Sequence, residues 1–385
     1  MKIKGRLIFL ISALILFCLT AFLIISYSQG YKFDFEKKKF VQTGGLYVQV
    51  DNPPAEIYLN NKLIKKITFL SNSILIRNLL PKKYKIEIKK NDYFTWLKNL
   101  EIKEKKVTEV KGLLLIKNSP QFEILIENLK EENLKDYLKN ILKEEINKAE
   151  LFHLENGVLF KESEPILNEA ISFTVSKDNL IWLSKSGFLF LSDLNGKIKE
   201  VLNQIPFEVN KEKKYKIVSS NSKIILWENS DFQAERENKV PTSEARSGSY
   251  IYYFSTEKKF EKISENIKGV KFSLDSEKLA FWTEFEIWIL DWNPKFELNE
   301  EKKEYKKIFL TRFSKKIGDC LWLSPNYLIF NIENEIKISE IDPRDIINIF
   351  TVANFQEPQM FFSKTEKKLY IFSENILFAS EKLIP

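Results

Sequence analysis

The chain is poor in the residue types that most often build catalytic and metal sites. Its 385 residues include one histidine, two cysteines and only 11 glycines. This glycine content is well below the ~7% that is typical of proteins. These counts argue against a histidine-built metal site and against a glycine-rich phosphate loop. No Walker, dinucleotide-binding, kinase or zinc-binding spacing occurs either. The sequence therefore predicts no catalytic residue, no cofactor and no metal ligand.

The few side chains that could carry chemistry have simpler interpretations. His153 is the one possible histidine base, but it lies in a predicted strand, and no Gly-x-Ser-x-Gly elbow is present. Asp275, Asp291 and Asp319 are predicted to form turns. We expect a protein that is not an enzyme. A propeller-type glycan-active hydrolase or lyase is the alternative, since the 53 acidic residues could supply a carboxylate pair.

Formal charge is unevenly distributed along the chain. The total of +7 consists of +3 in residues 1–30, +2 in 31–40, +7 in 41–115 and −5 in 116–385. A nucleic-acid-binding protein is expected to carry a basic surface on its largest module, which is acidic here, so nucleic acid is not a predicted partner. The basic excess of 41–115 is interpreted as solvated strand surface, or alternatively as a site for anionic lipid or cell-wall polymer. It includes Lys82, Lys83, Lys85, Lys89, Lys90, Lys103, Lys105 and Lys106.

Residues 7–27 form an uncharged apolar stretch of 21 residues. As a helix it is long enough to cross the ~30 Å hydrocarbon core of a bilayer. Basic residues at positions 2, 4 and 6 precede it, so the positive-inside rule predicts a cytoplasmic N-terminus and an extracytoplasmic remainder. A cleavable signal peptide is the alternative, because Ser26 and Ser28 have the spacing of a cleavage site. Cys18 lies in this stretch, so no disulfide to Cys320 is expected.

After residue 43 the sequence alternates apolar and polar residues with the period of half-buried strands. Turn-forming residues separate these segments, and together they predict a small antiparallel β-sandwich over 44–115. The aromatic residues Tyr93 and Trp96 stand at a strand start and are interpreted as core. The predicted strands are 46–50, 55–59, 84–88 and 100–102.

The same region resembles the PEGA domain, an extracytoplasmic β-sandwich of prokaryotic surface proteins. The order Pro-Ala, Tyr-Leu-Asn, Pro-x-x-Tyr and Tyr-x-x-Trp is kept, beginning at Pro54, Tyr58, Pro81 and Tyr93. Family glycines are replaced by Asn61, Lys83 and Asp92. Since lysine tolerates left-handed backbone poorly, at least one turn is expected to differ in shape from the family pattern.

A different period follows in the next segment. After strand-like text at 122–126, apolar residues recur every three or four positions through 129–149, which predicts an amphipathic helix. We interpret it as a spacer that packs one stripe on a neighbouring domain. A coiled-coil dimer is the alternative.

From residue 151 onward the chain reads as β with an internal repeat. A serine ends an apolar strand and a second apolar strand follows, at intervals of 39 to 54 residues. Propeller blades repeat every ~40–45 residues, and polar insertions at 231–249 and 293–304 account for the two long intervals. The sequence from Phe272 to Phe281 resembles the WD40-like repeat of TolB-type propellers, with Ser276 at the position where the repeat usually has a turn glycine. Five or six blades are predicted, and a tandem of β-sandwiches is the alternative. The repeated serines are Ser176, Ser219, Ser273, Ser324 and Ser363.

Six of the seven tryptophans fall in this module at equivalent strand positions, so we expect them to pack between blades rather than stack on sugars. The fold class is thus all-β, with a PEGA-like sandwich, a β-propeller-like module, one transmembrane helix and a short helical connector. The predicted role is a non-catalytic, single-pass binding or scaffold protein of the bacterial plasma membrane. It would be anchored in the bilayer through 7–27 and present the propeller to a protein or cell-wall glycan partner. A cell-wall-attached structural protein is a further alternative. The predicted segments are a cytoplasmic tail 1–6, transmembrane helix 7–27, linker 28–43, sandwich 44–115, connector 116–150 and propeller-like domain 151–385.

Overall fold

A computed structural model of the protein describes residues 2–142, 151–229, 249–293 and 304–385. Strands dominate. The chain divides into two compact units, the first formed by Met1–Ser119, Arg344–Phe350 and Ile384–Pro385, the second by Pro120–Pro343 and Thr351–Leu383. The polar insertions expected at 231–249 and 293–304 fall almost wholly outside the described residues.

The first unit begins with one long helix, α1 (Lys2–Ser28). Within it the span Leu7–Ser28 has a mean hydropathy of 3.0 and none of it is buried in the protein. Its 22 residues correspond to about 33 Å of helix, which is enough to cross a bilayer. A signal sequence near the N-terminus can also be long and apolar enough to pass this test.

A β-hairpin follows the helix after two residues. It consists of β1 (Tyr31–Asp34) and β2 (Lys39–Gln42), which pair antiparallel. The sequence predicts a linker at 28–43 and does not reveal this hairpin, because each strand has only four residues and β2 does not alternate apolar and polar residues.

The rest of the first unit contains two sheets around one core. Their strands are β3 (Gly44–Val50), β4 (Ala55–Leu59), β5 (Lys62–Ile67), β6 (Ser73–Leu79), β7 (Lys83–Lys89), β8 (Trp96–Glu101) and β9 (Val107–Leu113). One sheet has the order β6-β3-β9 and the other β5-β4-β7-β8. Inward residues of both sheets form the core, in which Trp96 is 2% exposed and Tyr93 is partly buried, as the sequence predicts.

The sandwich is not wholly antiparallel, which corrects the expectation. β9 pairs with β3 in parallel, because the chain reaches β9 from β8 in the other sheet rather than through a hairpin. Asn60 and Asn61 both have positive φ and make the two-residue turn between β4 and β5. Asp92 takes the same left-handed conformation in place of a glycine, whereas Lys83 does not and simply begins β7.

The second unit consists of six sheets within the described residues. The first has three strands, β11 (Phe152–Glu155), β12 (Val158–Lys161) and β13 (Glu164–Asn168), and the last includes a strand from the beginning of the unit, β10 (Phe122–Ile126). The second sheet is β14 (Ala170–Ser176), β15 (Asn179–Ser184), β16 (Leu189–Asp193) and β17 (Ile198–Val201). The third is β18 (Lys214–Ser220), β19 (Lys223–Asn229), β20 (Tyr250–Phe254) and β21 (Phe260–Glu265). The fourth is β22 (Gly269–Phe272), β23 (Lys278–Trp282), β24 (Glu286–Asp291) and β25 (Lys306–Arg312). The fifth is β26 (Ile317–Ser324), β27 (Tyr327–Ile332), β28 (Glu335–Glu340) and β29 (Ile349–Asn354), and the sixth is β30 (Gln359–Ser363), β31 (Lys368–Ser373) and β32 (Ile376–Lys382) with β10.

These sheets are the blades of a β-propeller. Each is an antiparallel meander, and the first strands of successive sheets contact one another in order, β11 with β14 and so on to β26 with β30. The five repeated serines lie at, or within one residue of, the ends of the first strands of blades two to six, as the repeat predicts. The sequence did not show the first, three-stranded blade as a separate copy, because no such serine marks it.

The strand and helix expected to form a connector belong to the last blade. β10 pairs antiparallel with β32, so the first strand of the unit completes its last sheet. The helix α2 (Glu131–Leu142) packs its leucine stripe on that sheet, and the end of the expected helix, 143–150, lies outside the described residues. Since the blade covers this stripe, it does not form the seam of a coiled-coil dimer. The stripe is Leu134 and Leu138, extended by Leu129 just before the helix, against Tyr370, Phe372, Leu377 and Ala379.

Candidate functional site

The side chains that could have taken part in chemistry occupy structural positions. His153 is exposed on β11 and stacks on Phe160, with ring centroids 5.0 Å apart. Cys320 is fully buried, and this burial raises the pKa of its thiol far above the usual range, so the sulfur stays protonated and unreactive. Among the described residues, no cluster of three or more histidine, cysteine, aspartate or glutamate side chains is placed to hold a metal ion.

Two of the three aspartates predicted to form turns do so. Asp275 accepts hydrogen bonds from the Ser273 hydroxyl at 2.6 Å and the Glu277 amide at 3.1 Å, in the turn before β23. Asp291 accepts from the Asn293 amide at the end of β24. Asp319 does not form a turn.

Asp319 lies inside β26 and forms an ion pair with Lys271 of β22, with Nζ and Oδ2 3.0 Å apart. Both residues are on the first strands of neighbouring blades, so the pair links blade four to blade five. The sequence around Asp319 resembles a turn only because the bulge in β26 interrupts its apolar alternation.

Buried tryptophans join the same two blades. The indole of Trp282 donates from Nε1 to the Gly318 carbonyl at 3.1 Å, and that of Trp322 donates to the Lys271 carbonyl at 2.9 Å. Gly269 gives Trp282 its space, since a Cβ there would lie 2.1 Å from the indole ring. Each of the two tryptophans is only 4% exposed, so they pack between blades as predicted and offer no sugar-stacking surface.

The outer edge of blade two presents an exposed apolar surface. β17 is the edge strand of its sheet, and all four of its residues are exposed. Ile198, Val201 and the nearby Ile205 are 51%, 46% and 70% exposed. We call these three residues the blade-two patch.

A buried asparagine fixes the segment that presents Ile205. Asn203 is 3% exposed, accepts a hydrogen bond from the Leu189 amide at 2.7 Å and donates to the Gly187 and Ile205 carbonyls, both at 2.9 Å. Gly187 has a φ of +84°, and a Cβ there would lie 1.9 Å from the Phe207 carbonyl oxygen. Because the segment packs this tightly, Ile205 is held outward by a rigid backbone.

A polar pocket of about 450 Å³ lies where blades five and six meet. Asn334 donates to the Gln356 side chain at 2.7 Å and accepts from the Glu357 amide at 3.1 Å. Asn331 accepts from the Asp319 amide at 2.8 Å, and its side chain fills the space that a Cβ on Gly318 would need. Amide and charged groups of this kind hydrogen-bond to polar, hydroxyl-bearing ligands. The lining residues are Lys316, Ile317, Gly318, Asn331, Glu333, Asn334, Gln356 and Glu357.

Several lysines of the sandwich are paired with neighbouring groups. Lys85 and Lys89 flank Glu87 at 2.5 and 2.6 Å, and their hydrogen bonds hold the pKa of the Glu87 carboxyl below its usual range. Lys90 donates to the Asn52 carbonyl at 2.8 Å. This pairing favours solvated strand surface over a dedicated polyanion site. Lys103, Lys105 and Lys106 remain exposed.

Comparison with known proteins finds structural likeness at low identity. No protein-family model and no curated protein match the chain. A gluconolactonase from Xanthomonas campestris is similar at 12% identity over 59% of this chain and 78% of its own, with a TM-score of 0.33. Hsv2 from Kluyveromyces lactis is similar at 11% identity over 56% and 65%, with a TM-score of 0.35. Atg21, solved with the coiled coil of Atg16, is similar at 13% identity over 79% and 91%, with a TM-score of 0.35.

Proposed function

We propose that this protein is a membrane-anchored, non-catalytic scaffold whose propeller binds a protein partner on the extracytoplasmic side of the bacterial plasma membrane. The observation that carries the membrane part is α1, whose span Leu7–Ser28 exposes apolar side chains along its whole length. Outside a membrane so much apolar surface would be unfavourable in water. Basic residues before the span, and the likeness of 44–115 to the PEGA domain, support export of the β units.

The blade-two patch supports a protein partner. An edge strand carries unpaired backbone donors and acceptors, so another chain can pair with it, and exposed Ile198 and Val201 would be covered on pairing. Ile205 extends the apolar surface beyond the strand. Since Asn203 holds this segment rigidly, little conformational entropy is lost when a partner binds.

The polar pocket supports a second candidate, a cell-wall glycan as the ligand. Asn334 and Gln356 offer amide groups, and Glu333 and Glu357 offer carboxylates, around an open space large enough for a sugar unit. Binding of wall polysaccharide to the detergent-solubilised full chain would be weakened by Asn334→Ala, while Lys211→Ala, in the segment between blades two and three, would leave it unchanged. Equal binding by both variants would exclude the pocket.

Site-specific photo-crosslinking in intact cells tests whether a protein partner binds the blade-two patch. A photoreactive residue at position 205 of the full-length protein is expected to give a discrete adduct, and one at exposed Lys211 is expected to give none. Ile198→Glu should abolish the adduct without changing the thermal melting of the protein, because the side chain is exposed. A 205 adduct that persists in Ile198→Glu, or no adduct at all, would refute binding through the patch.

A further inference from the structure

The hairpin β1–β2 is fixed to the end of the membrane helix. The Gly30 amide donates to the Tyr27 carbonyl at 3.0 Å, which continues the last turn of α1, and Gly30 has a φ of +81°. The Gly30 carbonyl accepts hydrogen bonds from the amide and hydroxyl of Thr43, at 2.8 and 2.9 Å. Both ends of the hairpin are therefore joined to the helix terminus, where the apolar span stops.

The turn of the hairpin holds an aromatic residue outward. Asp34 is 4% exposed and accepts hydrogen bonds from the amides of Glu36 and Lys37, at 2.9 and 3.2 Å. Phe35, at the start of this turn, is 82% exposed, and Phe40 on the second strand is 48% exposed. Both rings pack edge-on to Phe33, with centroids 5.1 and 5.2 Å apart, so the hairpin carries one aromatic cluster open to its surroundings.

Most charged side chains of the hairpin are basic, and these basic side chains are exposed. Lys32 and the run 37–39 are exposed. Of the two acidic residues, Asp34 is buried in the turn and Glu36 forms an ion pair with Lys82 at 3.2 Å. Exposed aromatic rings beside lysines are the combination found at the headgroup level of membranes, where rings lie among the upper chains and lysines meet lipid phosphates.

We propose that the hairpin Tyr31–Gln42 binds anionic phospholipid at the surface of the bilayer that α1 spans. Its four-residue strands are about 13 Å long, so its tip stays close to the helix end and within reach of the headgroup layer. The inference rests on the proposed membrane anchoring but not on which side the β units face. In this arrangement Phe35 and Phe40 contact lipid, and lysines 37–39 contact phosphate groups.

A fluorescent label at the tip tests this in the full-length protein. Cys18→Ala removes the exposed thiol and Cys320 is fully buried, so Phe35→Cys can be labelled alone with an environment-sensitive fluorophore. Ile205→Cys, an exposed apolar position on the propeller, is the matched control. Both are placed in nanodiscs of phosphatidylcholine with or without phosphatidylglycerol, after melting curves show that each variant is folded.

The label at position 35 is expected to emit at shorter wavelength in discs with phosphatidylglycerol than in pure phosphatidylcholine, and to be quenched by brominated lipid. Replacing lysines 37–39 with glutamine, or adding salt, should reduce the shift, while the label at position 205 stays solvent-like. The hairpin proposal alone would be overturned if the label at position 35 emitted as in solvent when the protein is in discs. It would also be overturned if the emission shift did not depend on anionic lipid and on lysines 37–39. A folded chain that does not enter discs would overturn the anchoring, and with it the proposal.

Discussion

The last blade is completed by β10, which precedes the first blade in the sequence. This arrangement predicts that the propeller cannot fold without the residues before 151. A fragment of residues 151–385 lacks β10 and α2, whereas a fragment of residues 120–385 keeps both. We expect the shorter fragment to be unfolded and the longer one to fold. The difference arises because β10 supplies the fourth strand of the sixth sheet and the leucines of α2 pack on that sheet.

The magnitude follows from three buried leucines. Leu129, Leu134 and Leu138 are 8%, 3% and 5% exposed against the last blade, and each buried leucine contributes about 1.5–3 kcal/mol. Their loss removes about 5–9 kcal/mol, which is comparable with the whole free energy of unfolding of an ordinary domain, about 5–15 kcal/mol. Removal of β10 also leaves β32 as an unpaired edge, which favours aggregation.

Intrinsic tryptophan fluorescence and far-ultraviolet circular dichroism during heating are the assay, since six of the seven tryptophans lie in this unit. The longer fragment should melt cooperatively and the shorter one should show no transition. In the full-length protein, Leu134→Asp should lower the melting temperature strongly, and Tyr137→Asp, a less buried position on the same helix, should lower it little. A 151–385 fragment that melts cooperatively at the temperature of the longer one would show that β10 and α2 are not needed to close the last blade.

Three further outcomes are expected from melting of the full-length protein in detergent. Gly269→Ala should destabilise by about 2–3 kcal/mol because its Cβ meets the indole ring, and the same change should cost much less in a Trp282→Leu background; equal costs would contradict the contact. Lys177→Gly should stabilise by about 0.5–1 kcal/mol, since Lys177 has a φ of 56°; a loss of stability would contradict this. Burial raises the pKa of the Glu228 carboxyl, so the folded state binds its proton more tightly and stability should fall as pH rises through the ordinary glutamate value up to the raised one. Glu228→Gln should remove this fall, and parallel pH profiles for the two proteins would contradict it.

The sequence predicts those parts of the fold that repeat or alternate over short distances. β4 matches its predicted bounds, and Asn60-Asn61 predicts its turn because asparagine tolerates left-handed backbone. The serine repeat identifies the first strands of five blades, although lysine and serine replace the usual turn glycine. Lys177 and Ser276 adopt positive φ in those turns, so the low glycine content changes local strain rather than topology.

Contacts between distant residues were not predictable in the same way. Phe122, which precedes the first blade, pairs with Ser380 near the end of the chain, and nothing near position 122 distinguishes such a strand from a connector. The hairpin after the helix gives a weak signal because its strands have only four residues each and the second does not alternate apolar and polar residues. The blade-two patch is also invisible in the sequence, since whether Ile205 is buried or exposed depends on the hydrogen bonds of Asn203.

The proposed membrane topology is tested most directly by thiol labelling with a membrane-impermeant reagent in intact cells. In a Cys18→Ala background, cysteine is introduced either at Lys2, before the span, or at Lys103, an exposed position of the sandwich. We expect position 103 to be labelled in intact cells and position 2 only after the membrane is permeabilised, with the protein remaining in the membrane fraction after alkaline extraction. Labelling of position 2 alone in intact cells, or recovery of the protein in the soluble cytosolic fraction, would contradict it.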